Sequence, residues 1–228
     1  MNKSTKIIVE ILLFVVCLGL VYLIYNSIMQ PVRFNKQKAY RESVAVQRLK
    51  DIRTLEVAFK SVNGRYTGDI DSLIDFYHTG KMEVIMQVGS ADDSIAVAHT
   101  EELKKKGAKV EDLLKMYQEG ANDLYFSTKT LVPVKDTLFT GRENLVLDSL
   151  AYIPFSGGQP IEMKAVIKIV SGVNVPLFEA DAPYDKLLRG LDRQLIINAK
   201  ADCRDKNRFE GLQVGSVDTP NNNAGNWE

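Results

Sequence analysis

Residues 7–29 read IIVEILLFVVCLGLVYLIYNSIM, a run broken only by Glu10 and by the polar pair Asn26-Ser27. At 1.5 Å of rise per residue a helix of this length extends roughly 34 Å, enough to cross a hydrocarbon core of about 30 Å with some tilt. A cleaved signal peptide has a shorter apolar core, about 7–15 residues, and leaves through small residues. This run leaves through Tyr22, Tyr25, Met29 and Gln30 instead. An uncleaved anchor is therefore expected, with the two tyrosines where an aromatic interface belt belongs. Membrane lipid is its first partner.

Past Pro31 the pattern changes. Ala45, Leu49, Ile52, Leu55, Phe59 and Val62 recur at steps of three and four, the spacing of one helical face, while Arg41, Arg48, Lys50, Asp51 and Arg53 fall mostly on the other side. Pro31 is the expected break in the hydrogen-bond pattern between anchor and stalk. Near a membrane boundary the freed carbonyl finds water or a neighbour, so a kinked but continuous helix of about fifty-five residues is predicted. Asn63 and Gly64 are its stop signal, glycine just beyond the last periodic residue.

Charge is balanced over the whole chain, 29 basic against 29 acidic residues, which leaves no electrostatic footprint for nucleic acid. The distribution is uneven. Residues 31–60 hold eight Lys/Arg against three Asp/Glu, and residues 61–228 hold nineteen against twenty-five, so a basic stalk precedes a mildly acidic remainder. Such a stalk is either a solvated helix face or a surface drawn to anionic headgroups by about 1 kcal/mol per residue. The positive-inside count leaves orientation undecided, since a short basic tail often stays inside and long domains translocate largely regardless of charge. Cys17 lies in the anchor and Cys203 in the soluble part, which excludes a stapled fold and a cysteine metal site.

The order of these features carries a resemblance. A short basic tail, an apolar helix with a glutamate near its start (Lys6-Ile-Ile-Val-Glu10-Ile-Leu-Leu), an amphipathic continuation and the stretch Ala45 to Tyr66 ending Asn-Gly-Arg-Tyr resemble type IV pilins and the major pseudopilins of type II secretion. The likeness covers about the first seventy residues, including a short helix expected over Asp71 to Phe76. The pair corresponding to the family's processing site is Thr5-Lys6, where the family has glycine and an aromatic residue. The resemblance implies an α+β, pilin-like fold: a long N-terminal transmembrane-plus-stalk helix followed by a globular domain with antiparallel sheet and short helices. It also implies a role for Glu10 in pairing with a neighbouring subunit's N-terminus. From the residues alone Glu10 equally reads as a snorkelling side chain or as the i,i+4 partner of Lys6.

The chain is accordingly divided into a short cytoplasmic tail and transmembrane helix (1–30), an amphipathic stalk helix (31–64), an α+β globular domain (65–220) and a polar C-terminal tail (221–228), which packs, if at all, through Trp227. Within the globular part, Met82 to Val88 alternates as a strand, Gly89 to Asp93 turns, and Ile95 to Ala98 is expected to return as its hairpin partner, followed by a charged turn from Glu101 to Lys106. Val110, Leu113, Leu114 and Tyr117 predict a short helix ending near Gly120. A strand is expected over Leu131 to Phe139, with Pro133 placing it toward an edge. Ile161 to Ile169 is the cleanest strand, ended by Ser171-Gly172 and paired with Val175 to Ala180. A helix over Tyr184 to Leu191 and a last strand over Leu212 to Val217 follow, Leu195 to Ala199 reads either way, and Gly157 to Pro160 is a turn or an inter-lobe hinge.

Chemistry-bearing patterns are few. His78 and His99 have no second histidine or cysteine at a ligand spacing, and Asp69, Asp71 and Asp75 fail as a calcium loop because Ile74 and Gly80 stand where glycine and glutamate are needed. Gly157-Gly158 lacks the lysine of a phosphate loop, and no nucleophile elbow is present. No catalytic, cofactor or metal residues are assigned. The expectation is a non-enzymatic structural or assembly component of the cell envelope, single-pass in the inner membrane with its large domain outside the cytoplasm, contacting copies of itself or related secretion proteins through Glu10, Leu49, Ile52 and Phe59. The alternative is a bitopic scaffold whose soluble domain binds a protein or envelope partner without forming a filament.

Overall fold

The computed structural model describes residues 3–142 and 146–228. Its first element, α1, runs from Lys3 to Asn63 without interruption. Pro31 lies inside it and, lacking an N–H, cannot bond the carbonyl one turn earlier. The end is the expected one: Gly64 takes φ +70°, its N–H bonds Lys60 O at 2.8 Å, and the Asn63 amide folds back on Phe59 O at 3.1 Å. Among the described residues α1 is the one helix long and apolar enough to cross a bilayer, which is compatible with a single-pass membrane protein. The possible pairing of Glu10 with Lys6 lies outside the described side chains.

Beyond α1 the layout is α+β. In chain order come α2 (Ile70–Thr79), β1 (Lys81–Val88), α3 (Ser94–Lys105), α4 (Val110–Gln118), β2 (Phe126–Pro133), the one-turn α5 (Val134–Thr137), a 3-10 turn (Leu147–Ala151), β3 (Glu162–Val170), β4 (Val173–Pro183), the one-turn α6 (Tyr184–Leu187), α7 (Arg193–Asp205) and β5 (Gly211–Gly215). The chain divides into two compact units, one of Met1–Thr54, Tyr66–Ile70 and Val146–Glu228, the other of Leu55–Arg65 and Asp71–Leu145. Each therefore contains a stretch of α1.

In the second unit β1 and β2 form a two-stranded antiparallel sheet, Lys81 opposite Pro133 and Val88 opposite Phe126. Two apolar clusters sit within it. Val88, Leu113, Leu124 and Phe126 gather with Leu103 and Leu114, and Ala58, Phe76 and Val134 gather with Phe59, Met82 and Leu138.

Two expectations fail in this unit. Ile95 to Ala98 is not the partner strand of β1 but the first turn of α3, because Asp93 accepts the N–H groups of Ile95 and Ala96 at 3.1 Å and so nucleates a helix. A four-residue apolar run is ambiguous by periodicity, and the cap decides it. The charged segment after it is likewise the end of α3, with Glu102 and Lys106 paired at i,i+4. Pro133 ends β2 instead of lying inside a strand to Phe139, since a fixed φ and a missing N–H start the turn of α5.

The first unit carries a three-stranded antiparallel sheet in the order β3-β4-β5. Ser171 and Gly172, at φ +51° and +81°, make the two-residue turn from β3 to β4, the left-handed pair a tight hairpin needs. The helix expected to Leu191 is only α6, and the ambiguous segment from Leu195 belongs to α7, capped by Asp192. Gly157 to Pro160 is a turn: the buried Ser156 hydroxyl donates to Ile153 O and accepts from Gln159 N. The C-terminal tail packs through more than Trp227. Gly225 bridges Val214, Asn226 N–H bonds Gln213 O, and the Asn226 side chain accepts from Gln213 N and donates to Gly211 O. An amide side chain with one acceptor and two donors can extend a sheet edge where apolar burial is lacking.

Candidate interaction surface

Two halves of α1 meet very different surroundings. Leu12, Phe14, Tyr22 and Ile28 stand 60–67 % exposed, whereas Leu49, Ile52 and Leu55 have no exposed surface. A helix apolar on all sides, with every residue from 12 to 28 exposed, suits a hydrocarbon medium. Phe34, 7 % exposed, marks the change.

From there α1 is held to the first unit by its polar side. Gln30 donates to Asp192 Oδ2 at 2.6 Å. One terminal nitrogen of Arg41 donates to both Leu187 O and Arg189 O, at 3.1 and 2.8 Å, satisfying carbonyls at the end of α6. Arg48 donates to Tyr152 O, and Arg53 to Asn223 O and Glu228 Oε1. The face expected to be solvated is thus a docking face. Apolar and basic stripes are both occupied, because a guanidinium can donate to backbone carbonyls that apolar side chains leave bare. Burial pushes the Arg48 guanidinium below its ordinary value. Tyr184 donates its hydroxyl to Glu42, with Lys38 5.1 Å over its ring, and burial together with the Glu42 charge raises the phenol far above its usual range.

The residues expected to contact other subunits separate on this map. Glu10 is exposed on the bare half of α1. Leu49 and Ile52 are spent inside the chain's own core and leave no surface for a second copy. Phe59 is half-buried, edge-on to Phe76 with ring centroids 5.3 Å apart.

Titratable groups also converge within the first unit. On one face of the three-stranded sheet, Glu179 and Asp181 are buried beside Lys164, whose Nζ lies 3.3 Å from Glu179 Oε1 and 4.0 Å from Asp181 Oδ2. Burial and the neighbouring Glu179 charge push the Asp181 carboxyl up to about 7 against the pull of Gln213 and Lys164. Val217 N–H bonds the other Glu179 oxygen. The cluster ties sheet to loop. His99 pairs with Asp123 at 2.8 Å, and His78 packs edge-on against Tyr77. Among the described residues no group of three or more His, Cys, Asp or Glu could hold a metal ion. A cavity of about 310 Å³ is lined by Glu42, Tyr184, Cys203, Arg208 and Trp227, and another of about 280 Å³ lies beside Gln30, Arg33 and Phe34.

Sequence reasoning missed the arginine docking and the tail. A seven-residue separation of Arg41 and Arg48 was the available signal, since it places both on one helix face. No family model matches the chain, and comparison with curated proteins and with solved structures finds no match either.

Proposed function

We propose that this protein is a non-enzymatic, membrane-anchored structural or assembly component, pilin- or pseudopilin-like, with its folded units outside the cytoplasm. One observation carries the reading: a single helix whose N-terminal half is apolar and unpacked while its C-terminal half is built into the folded units. Such a helix ties the folded part of the chain to the bilayer through continuous helical backbone. Assembly with copies of itself or with related envelope proteins then falls to the bare half, where Glu10 is the charged group.

The occupied stalk favours a second reading. With Ala45, Leu49, Ile52 and Leu55 buried in the same chain, most of the stalk's apolar face is taken up internally, as suits a bitopic scaffold that binds one partner through its head. Removal of residues 1–30 distinguishes the two. Loss of a cross-linkable oligomer supports assembly through the anchor, and an unchanged complex with a monomeric head supports the scaffold. Orientation is tested with Asn122→Cys and Val173→Cys, each in a background without Cys17 and Cys203. Labelling of intact cells (with the outer membrane alone opened) is expected, and labelling only after the inner membrane is permeabilised overturns the assignment.

A further inference from the structure

The cavity of about 280 Å³ is lined by Asn26, Gln30, Arg33, Phe34 and Gln37 of α1 and by Gly190, Leu191 and Asp192 from the segment between α6 and α7. The α1 residues follow steps of three and four along one helix face, so the cleft runs lengthwise beside the helix where its apolar run ends. Arg33 lies four residues beyond Met29, about 6 Å along the axis, and the polar headgroup layer on each side of a bilayer is about 5–8 Å deep. On the membrane reading above, the cleft therefore opens at headgroup depth.

Its polar groups are of both signs. Asp192 is held in place, accepting from Leu195 N at 3.0 Å through Oδ1 and from Gln30 at 2.6 Å through Oδ2. A carboxylate offers about four lone-pair sites, so it retains capacity for a further donor. Arg33 is exposed and carries a guanidinium suited to a phosphodiester. Phe34 and Leu191 supply the apolar part of the lining.

We infer that this cleft binds the headgroup of a zwitterionic phospholipid with a primary ammonium, the phosphodiester on Arg33 and the ammonium on Asp192. A purely anionic headgroup would meet the Asp192 charge, and a quaternary ammonium has no N–H to donate to it. The volume is near the lower end of ligand sites, about 300 Å³, which suits a headgroup whose acyl chains stay in the bilayer beside α1.

The full-length protein is reconstituted into nanodiscs of phosphatidylcholine with equal minor fractions of phosphatidylethanolamine and phosphatidylglycerol, and retained lipids are counted by native mass spectrometry. Phosphatidylethanolamine adducts are expected in about tenfold excess over either competitor. Arg33→Gln should lower phosphatidylethanolamine and phosphatidylglycerol adducts together. Asp192→Asn keeps a side chain able to cap α7 and should erase only the preference between the two. Adducts without headgroup preference, or a preference that survives both substitutions, overturn the site. Displacement of the lipid by an equal concentration of free phosphoethanolamine would assign the cleft to a soluble phosphoamine instead and overturn the lipid assignment. Failure of the protein to enter nanodiscs at all would overturn the membrane reading itself.

Discussion

Two strand pairs, one in each unit, are built around the same corner. β1 and β5 both close on Gln-Val-Gly-Ser, Gln87–Ser90 and Gln213–Ser216. Their glycines take φ +77° and +72°, with the position of a Cβ only 2.2 Å from Leu124 O in one and Phe178 O in the other, so both need the absence of a side chain. The partner strands, β2 and β4, run into Pro133 and Pro183 and then a single helical turn. The first N–H beyond each proline returns to the carbonyl before the opposite strand, Val134 to Gly80 and Tyr184 to Glu210, both at 3.0 Å. Chain order is reversed between the two. Coverage differs most. β1 and β2 stand alone, with Ile85 and Leu131 67 % exposed, while β4 lies between β3 and β5 and the tail bridges β5, leaving Ala180 and Val214 with no exposed surface. Local residue chemistry makes the corner, and neighbours decide how much of it is buried.

The widest separation is expected at the leucine that follows each one-turn helix. Leu188 is fully buried and Leu138 partly so. Leu188→Ala should cost about 2–5 kcal/mol, read from the urea midpoint of the single tryptophan, Trp227, in the same unit. Leu138→Ala should cost about 1–2 kcal/mol, read from amide exchange in β1 and β2. Equal costs would mean that coverage does not separate the pairs.

Gly215→Ala and Gly89→Ala should each cost about 2–3 kcal/mol, from left-handed strain plus the carbonyl contact. A neutral result at either position in chemical denaturation would show that its corner relaxes.

Arg41→Ala should cost about 1–2 kcal/mol in chemical denaturation by removing the hydrogen bonds to Leu187 O and Arg189 O. The second unit has apolar packing near its own one-turn helix, where Val134 gathers with Ala58 and Phe76.

The smallest effect concerns the residue opposite each corner glutamine, Ser127 in one pair and Asp181 in the other. Asp181 sits at about 7 in the fold against an ordinary 3.8, so the native state binds the proton more tightly and stability falls as pH rises through that window. Asp181→Asn should flatten this slope, gaining on the order of 1 kcal/mol at pH 8 and nothing near pH 4 in thermal unfolding followed against pH. A constant difference across the range would exclude titration of Asp181 as its cause.

Much of the architecture was legible because it rests on local rules. The apolar run to Met29, the stop at Asn63-Gly64, β1, the alternating β3 and the Ser171-Gly172 turn are each specified by periodicity or by a glycine that tolerates positive φ. Ile95 to Ala98 and Leu131 to Phe139 were misread because a single cap, Asp93, and a single proline, Pro133, outweigh short apolar runs. What only the tertiary structure decided is which polar groups are spent inside the chain. Whether Arg41 meets water or the carbonyls after α6, and whether Asn226 trails in solvent or extends the edge of β5, depends on atoms more than a dozen residues away. Sequence periodicity reports burial of carbon. It is silent on the backbone carbonyls and amides that long-range packing leaves to be satisfied, and those fix the stalk to its head.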